Sequence, residues 1–407
     1  MSNPSSAPPV PPATVVIGGT IAIDHVKTPA AEASGLLGGS AAYAALAASF
    51  FCRPVGLIGI IGRDFPQAHL DMLESRGISL AGVERSDHES FTWSGEYHAN
   101  MNERTTHRVG LNVLEDWRVK VPAAAAASSI VVLANMSPDN QLEMLAQCGI
   151  VDRGSGIADS SPLPIQNPKS KIASGHASQG CAGFFHARER SLRVQNSKSS
   201  SSASLGDLGA LAVQKSSSSS SSSSPAPRFV IADTMDLWIA IANQRLHEVL
   251  PYLDLFVLNE GEARDLAGTS NLVRAGRLLL EKGPRHVVIK LGEFGAMLFS
   301  SSSSNIQHPT SNIASASECE IFRCSAWPLE SVADPTGAGD TFLGAIAGYL
   351  AAQGPPPYAA DALRQAIIQG SILASFTCEA FSTRRLESLS SADLAQRLQL
   401  FRQATLW

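Results

Sequence analysis

Charge is scarce in this chain. Only 16% of its 407 residues are Asp, Glu, Lys or Arg, and 31 basic side chains face 36 acidic ones for a net charge of −5. That balance provides no electrostatic footing for nucleic acid or an anionic membrane as the main partner. Long apolar runs are missing as well: each is interrupted before about eighteen residues, so no transmembrane helix is expected. The six cysteines, Cys52, Cys148, Cys181, Cys319, Cys324 and Cys378, form no C-x-x-C pair. A zinc site or disulfide framework is therefore unsupported, and a reducing, cytoplasmic compartment is expected. Residues 1–13 hold no basic residue and no apolar core. They read as a disordered tail, neither a secretory signal nor a mitochondrial presequence. Two nucleotide motifs are absent too: no G-x-x-x-x-G-K-[ST], and no G-x-G-x-x-G after Val15-Val16-Ile17-Gly18-Gly19-Thr20, which argues against a Walker-type site and a dinucleotide oxidoreductase.

What is present is enough apolar material, 44% of residues, for a sizeable core. Serine is concentrated. Residues 152–227 are polar and low in complexity, with nine consecutive serines from Ser216 to Ser224, and 300–318 is a shorter Ser-rich stretch. Segments of this kind cannot offset their ordering entropy by burial, so 152–227 is expected to be a disordered insertion and 300–318 a loop. The remainder, within 14–407, alternates strand-like and helix-like text. Val15–Ile17, Val55–Ile61, Ile130–Leu133, Phe229–Ile231, Leu255–Leu258 and His286–Ile289 are apolar runs. Helical text lies between most of them, including 41–48 with Ser40 as N-cap, 66–76 and 342–352. The pattern predicts an α/β domain with a mostly parallel sheet covered on both faces. Residues 88–113 break the alternation with polar, period-two text carrying Phe91, Trp93 and Tyr97. They predict a small accessory sheet.

The densest chemical signal is Asp334-Pro335-Thr336-Gly337-Ala338-Gly339-Asp340-Thr341-Phe342, just ahead of a helix. Small residues at 337–339 let the backbone approach an anion, and their amides open a helix start where the dipole favours negative charge. Asp340 would repel that anion as a direct ligand. It makes sense as a base taking a proton from a hydroxyl that attacks phosphorus. The plainer reading is a Gly-rich turn with an acidic helix cap.

This nine-residue string resembles the C-terminal signature of the ribokinase-like (PfkB) carbohydrate kinases. Gly38-Gly39 resembles the family's di-glycine hinge, Asn259-Glu260-Gly261-Glu262 its N-x-x-E motif, and Lys290-Leu291-Gly292-Glu293-Phe294-Gly295 its nucleotide loop. In texture the chain is similar to sugar-kinase members of unassigned specificity. The resemblance implies a three-layer α/β/α domain with a β-sheet lid, its strands around 14–26 and 88–113, and ATP-dependent phosphorylation of a sugar-type hydroxyl. It implies Asp340 as base and Gly337, Ala338 and Gly339 as anion hole. Asn259, Lys290, Gly292, Gly295 and Thr336 would border ATP. Glu262 would hold Mg²⁺ through water, and Asp334 could hold a monovalent cation, K⁺. Asp24, Gly38, Gly39 and Ser40 would meet the acceptor, with Arg104 reaching substrate or phosphate from the lid. The lid could also serve as a homodimer surface. Ser40 and Tyr43 stand where ribokinases proper carry Lys and Asn, which leaves the acceptor open. The alternatives are a nucleoside kinase, with Trp93, Tyr97 or Tyr43 supplying a slot for the base, and a non-catalytic kinase-like scaffold.

Overall fold

The computed structural model describes residues 15–151, 228–301 and 319–405. The expectations for 1–13, for 152–227 and for most of 300–318 lie outside the described residues.

Among the described residues, thirteen strands form two sheets. In chain order, β1 (Val15–Gly18) belongs to the large sheet, β2 (Ala22–Lys27) and β3 (Glu32–Gly38) to the small one. β4 (Val55–Ile61) and β5 (Ile78–Arg85) return to the large sheet; β6 (Phe91–Tyr97) and β7 (Arg104–Gly110) complete the small one. The rest are large-sheet strands: β8 (Ile130–Leu133), β9 (Phe229–Asp233), β10 (Leu255–Asn259), β11 (His286–Lys290), β12 (Ala296–Ser301) and β13 (Cys319–Cys324).

The large sheet runs β13-β12-β11-β10-β9-β8-β1-β4-β5. From β5 to β11 every pairing is parallel; β12 and β13 close one edge antiparallel. Strands such as Val15–Gly18 and Ile130–Leu133 are buried along their whole length because helices cover both faces. Helices Ser40–Ala48, Ala338–Ala352 and Ala360–Thr377 contribute to the core on one face, and Pro138–Gln147, Glu260–Ala267 and Leu272–Leu280 to the core on the other. This is the three-layer arrangement the sequence predicts. The glycines of helix Ala338–Ala352 let it lie directly on helix Ser40–Ala48: a Cβ at Gly344 would fall 2.0 Å from the Ala44 carbonyl oxygen, and one at Gly348 2.6 Å from that of Ala48. The two helix starts, one carrying Gly38-Gly39 and the other Gly337-Ala338-Gly339, are thereby held side by side.

The small sheet has the order β3-β2-β6-β7, with β2 and β6 parallel and the outer pairings antiparallel. Three expectations are corrected here. Val15–Gly18 is not a lid strand. A four-residue run buried on both faces belongs in the sheet interior, between β4 and β8. β3, unforeseen, takes its place in the small sheet. Ser300 and Ser301 extend β12, paired with Glu320 and Cys319, so the Ser-rich loop does not begin at 300. The last helix of the signature starts at Ala338 rather than Phe342, which puts Asp340 in its first turn. The five cysteines among the described residues are all free, and no helix there is long and apolar enough to cross a membrane.

Candidate active site

The carboxyl ends of parallel strands are where loops of an α/β sheet gather ligands. Here β9, β10 and β11 end on Asp233, Asn259 and Lys290, and Asn259 pairs directly with Lys290. Asn259 and Glu262 form a reciprocal cap on the helix that follows. The Glu262 amide donates to Asn259 Oδ1 at 2.9 Å, and the Asn259 amide donates to Glu262 Oε2 at 2.7 Å. The plain helix-start reading of this motif is thus realised. It also fixes a nearly buried carboxylate beside Lys290. Burial raises the Glu262 pKa, against the Lys290 charge and the Asn259 amide.

The Asp334–Thr341 loop reaches the same place from the opposite side. Gly337 takes φ 77°, a left-handed conformation suited to glycine, and is the N-cap of helix Ala338–Ala352. A Cβ there would also collide with the Tyr43 ring at 2.3 Å. Of the three expected anion-hole amides, that of Ala338 closes the turn onto the Pro335 carbonyl at 3.2 Å, so it is already committed. The amides of Gly337 and Gly339 have no partner among the described residues. Lys290 Nζ sits above them, 2.9 Å from where a Cβ on Gly339 would be. Asp340, in the first turn, has its pKa raised by burial and held back by the cations of Lys290 and Arg104.

Asp24, on β2, lies against Gly38: a methyl group at Gly38 would stand 2.1 Å from its carboxylate carbon. The close approach requires glycine. Asp24 is 5% exposed. Burial, reinforced by the negative charges of Asp334 and Asp340, pushes its pKa up to about 8. Asp24 and Asp340 therefore share one electrostatic neighbourhood.

Other expected residues serve as supports. Gly39 adopts φ 89° and is itself the helix N-cap, so Ser40 is not. The Ser40 hydroxyl instead bonds the Asn135 carbonyl at 3.3 Å and lies 3.2 Å from Thr20 Oγ1. Ser40 thus braces the loop after β1, and its hydroxyl is occupied. Asp334 is fully buried, with Oδ1 accepting from the Thr336 amide at 2.9 Å and Oδ2 from the Ser382 amide at 3.0 Å. Thr336 Oγ1 donates to the Tyr97 hydroxyl at 3.2 Å, tying the small sheet to the loop. Gly292 and Gly295 bound a 3₁₀ turn after β11; both have positive φ, and Phe294 between them is 64% exposed. Arg104 pairs across from Tyr97, its guanidinium 5.9 Å from the Trp93 ring centroid. Its charge is felt by both Asp340 and Glu262.

One residue escaped sequence reasoning, and another was read for a different role. Asp233 is buried, its Oδ1 has no partner, and its pKa is raised by burial and then by Asp340, while Lys290 opposes the rise. An acid ending the apolar run Phe229-Val230-Ile231-Ala232 was the available signal. Tyr43, weighed only as a base slot, is 1% exposed, and its hydroxyl has no hydrogen-bond partner although Asp24, Asp334 and Asp340 surround it.

Residues 228–389 match the profile of the pfkB family carbohydrate kinases. No curated protein matches the chain by sequence. Among solved structures, the ribokinase of Giardia lamblia aligns with a TM-score of 0.62 at 15% identity, covering 96% of this chain and 99% of that one. A protein described as a ribokinase II from E. coli, in complex with ATP and Mg²⁺, gives 0.59 at 15% identity with coverages of 96% and 99%. The Burkholderia thailandensis nucleoside kinase, in complex with inosine, gives 0.58 at 15% identity with coverages of 96% and 98%. Likenesses at such identity describe a shared fold.

Proposed function

From the premise that residues 228–389 belong to the pfkB carbohydrate kinases and that the fold is ribokinase-like, we propose that this protein moves the γ-phosphoryl group of ATP to a hydroxyl of a small sugar-type acceptor. The observation that carries the reading is the meeting of Asp24, Asp340, Lys290 and the Gly337–Gly339 turn at one end of the parallel sheet.

Asp24 accepts hydrogen bonds from acceptor hydroxyls, for which a carboxylate with two oxygens suits a vicinal diol. Asp340 takes the proton from the attacking hydroxyl as its oxygen bonds to phosphorus and the bond to the bridging oxygen of ADP breaks. Lys290, the Gly337 and Gly339 amides and the helix start stabilise charge on the transferring group, and Arg104 adds a cation from the small sheet. Asn259 and the Gly292–Gly295 turn border the nucleotide. The small sheet excludes water over the acceptor.

Mg²⁺, implied by the family, fits the donor set. Asp233 offers a buried carboxylate oxygen without a partner, and Glu262 stands near it. Among the described residues no group of three or more ligating side chains could hold a metal alone, in keeping with an ion that rests largely on phosphate oxygens and water. Asp233 and Glu262 would hold it, and its chemistry would be charge neutralisation on the β- and γ-phosphates. K⁺ at Asp334 would share its carboxylate with the Thr336 and Ser382 amides, each of which already donates to one oxygen.

The second reading, a nucleoside acceptor, rests on the Trp93 and Tyr97 side chains carried by the small sheet. Transfer of label from [γ-³²P]ATP across a panel of sugars and nucleosides, run with wild type and Asp340→Asn, tests both. Absence of transfer to any acceptor would leave the scaffold reading. The proposal includes a homodimer through the small sheet, checked by analytical ultracentrifugation.

A further inference from the structure

The small sheet makes a second landing on the catalytic body, away from the acceptor. The turn between β6 and β7 is built to hold one shape. The Asn100 side chain accepts from the amides of Asn102 at 3.2 Å and Glu103 at 3.1 Å; the Met101 amide donates to the His98 carbonyl at 2.8 Å, with Met101 itself at φ 55°. Below the turn, His98 Nε2 meets Thr105 Oγ1 at 2.8 Å. This scaffold presents Asn102 outward, and its Nδ2 donates to Glu293 Oε2 at 3.0 Å, while its Oδ1 comes within 3.7 Å of where a Cβ on Gly292 would stand. Both partners belong to the 3₁₀ turn after β11.

The sheet that makes this bond is continuous with the strand that carries Asp24. β2 pairs with β6 over six residues, Asp24 opposite Trp93, and β6 pairs with β7 up to Tyr97–Arg104, just below the turn. One four-stranded body therefore touches the acceptor end of the site through Asp24, the catalytic loop through Tyr97 and Thr336, and the 292–295 turn through Asn102.

We propose that Asn102 and Glu293 are positioning residues that couple the two substrate sites. Their bond lets the cover seat over the acceptor only when the 292–295 turn holds its nucleotide-bearing shape. The inference rests on the kinase reading for the identity of the ligand at that turn. In energetic terms it is a linkage between sites, reciprocal by necessity: nucleotide tightens acceptor binding by the same factor as acceptor tightens nucleotide. An exposed amide–carboxylate bond places the factor at the low end of the usual range, roughly 5-fold.

The test has two arms. In the first, hydrogen exchange of residues 98–103 is followed with and without the Mg²⁺ complex of a non-hydrolysable ATP analogue. Nucleotide should slow exchange in wild type and leave Asn102→Ala unchanged; a wild-type turn indifferent to nucleotide overturns the inference whatever the protein's activity. In the second, the KM for ATP is measured at low and saturating acceptor, with D-ribose and inosine as probes. Asn102→Ala should bring the ratio of the two KM values towards one while kcat at saturation stays within about 2-fold. Asn102→Asp sets two carboxylates against each other and should do the same; adding Glu293→Gln restores an amide–carboxylate bond with the roles exchanged and should restore the ratio. Turnover with an unaltered ratio in Asn102→Ala overturns the coupling. Failure of the kinase reading looks different: no transfer by wild type to any probe, with the exchange arm still deciding the inference.

Discussion

Residues 228–389 and residues 15–151 meet at one site but build it by different means. In the first, the site residues are placed by their own short stretches of chain. Asn259 and Glu262 cap each other, Gly337 turns the loop into the helix that carries Asp340, and Lys290 ends a buried strand. In the second, placement depends on distant partners. Asp24 is pressed onto Gly38 across a strand pair, Tyr43 lies under Gly337, and Ser40 is pinned to Thr20 and Asn135. Only the first segment matches the family profile. Phosphoryl transfer needs fixed amides, a cation and a base, which short motifs can encode. Acceptor choice needs a shaped cavity, which many separated residues must build together.

If that division holds, the largest effect should come from the motif side. Asp340→Asn should lower kcat by roughly 10²–10⁴-fold, the usual contribution of a general base, with the affinity for ATP kept in calorimetric titration. Turnover near the wild-type rate would remove Asp340 from its role. On the other side, Asp24→Asn should raise the acceptor KM by about 10–100-fold, the loss expected for hydrogen bonds to a charged group, and leave the KM for ATP nearly unchanged. A change mainly in the ATP KM would blur the comparison.

The elevated Asp24 pKa adds a pH test. Between its ordinary value of 3.8 and about 8, the folded ligand-free protein keeps a proton that the unfolded chain releases. Stability from this group is therefore complete below 3.8 and is lost as pH rises through about 8. The melting temperature should fall from pH 6 to pH 9 without ligand, and by less in Asp24→Asn. Acceptor affinity should run the other way, rising with pH towards a plateau above 8 as the carboxylate forms. The smallest effect is expected for Tyr43→Phe. Its hydroxyl is buried without a hydrogen bond of good geometry, although the Ser382 hydroxyl, which donates to the Leu37 carbonyl at 2.5 Å and keeps its lone pairs, lies near enough to lower its pKa. Removing an unsatisfied buried group lifts a desolvation cost of about 1–3 kcal/mol, so thermal melting should show equal or greater stability. A clear loss of stability would mean that the hydroxyl is a structural partner after all.

Particular elements show what could be read in advance. The apolar runs at 130–133, 255–258 and 286–289 became buried parallel strands because a short run rich in apolar and β-branched residues, with no helical spacing, leaves few alternatives. β3 was invisible. Its text, Glu32-Ala33-Ser34-Gly35-Leu36-Leu37-Gly38, is exposed in its first half and buried in its second, so no single period runs through it. Ser40 looked like a cap by residue type, yet Gly39 took that position and turned the serine towards loops far away in sequence. Asp233 became a site residue only because β9 lies beside β10, which brings its carboxylate to Lys290 and Asp340.

By itself the sequence determined the local pieces: a glycine turn opening a helix, an acid one residue beyond it, a capped acid and a strand-end lysine, each specified within a few adjacent residues by backbone geometry and local hydrogen bonds. Only the tertiary structure decided that Asp24 lies in the field of Asp334 and Asp340, that Tyr43 packs against Gly337, and that Asn102 reaches Glu293. Those contacts join residues far apart along the chain, and packing across two sheets and two helix starts brings them together.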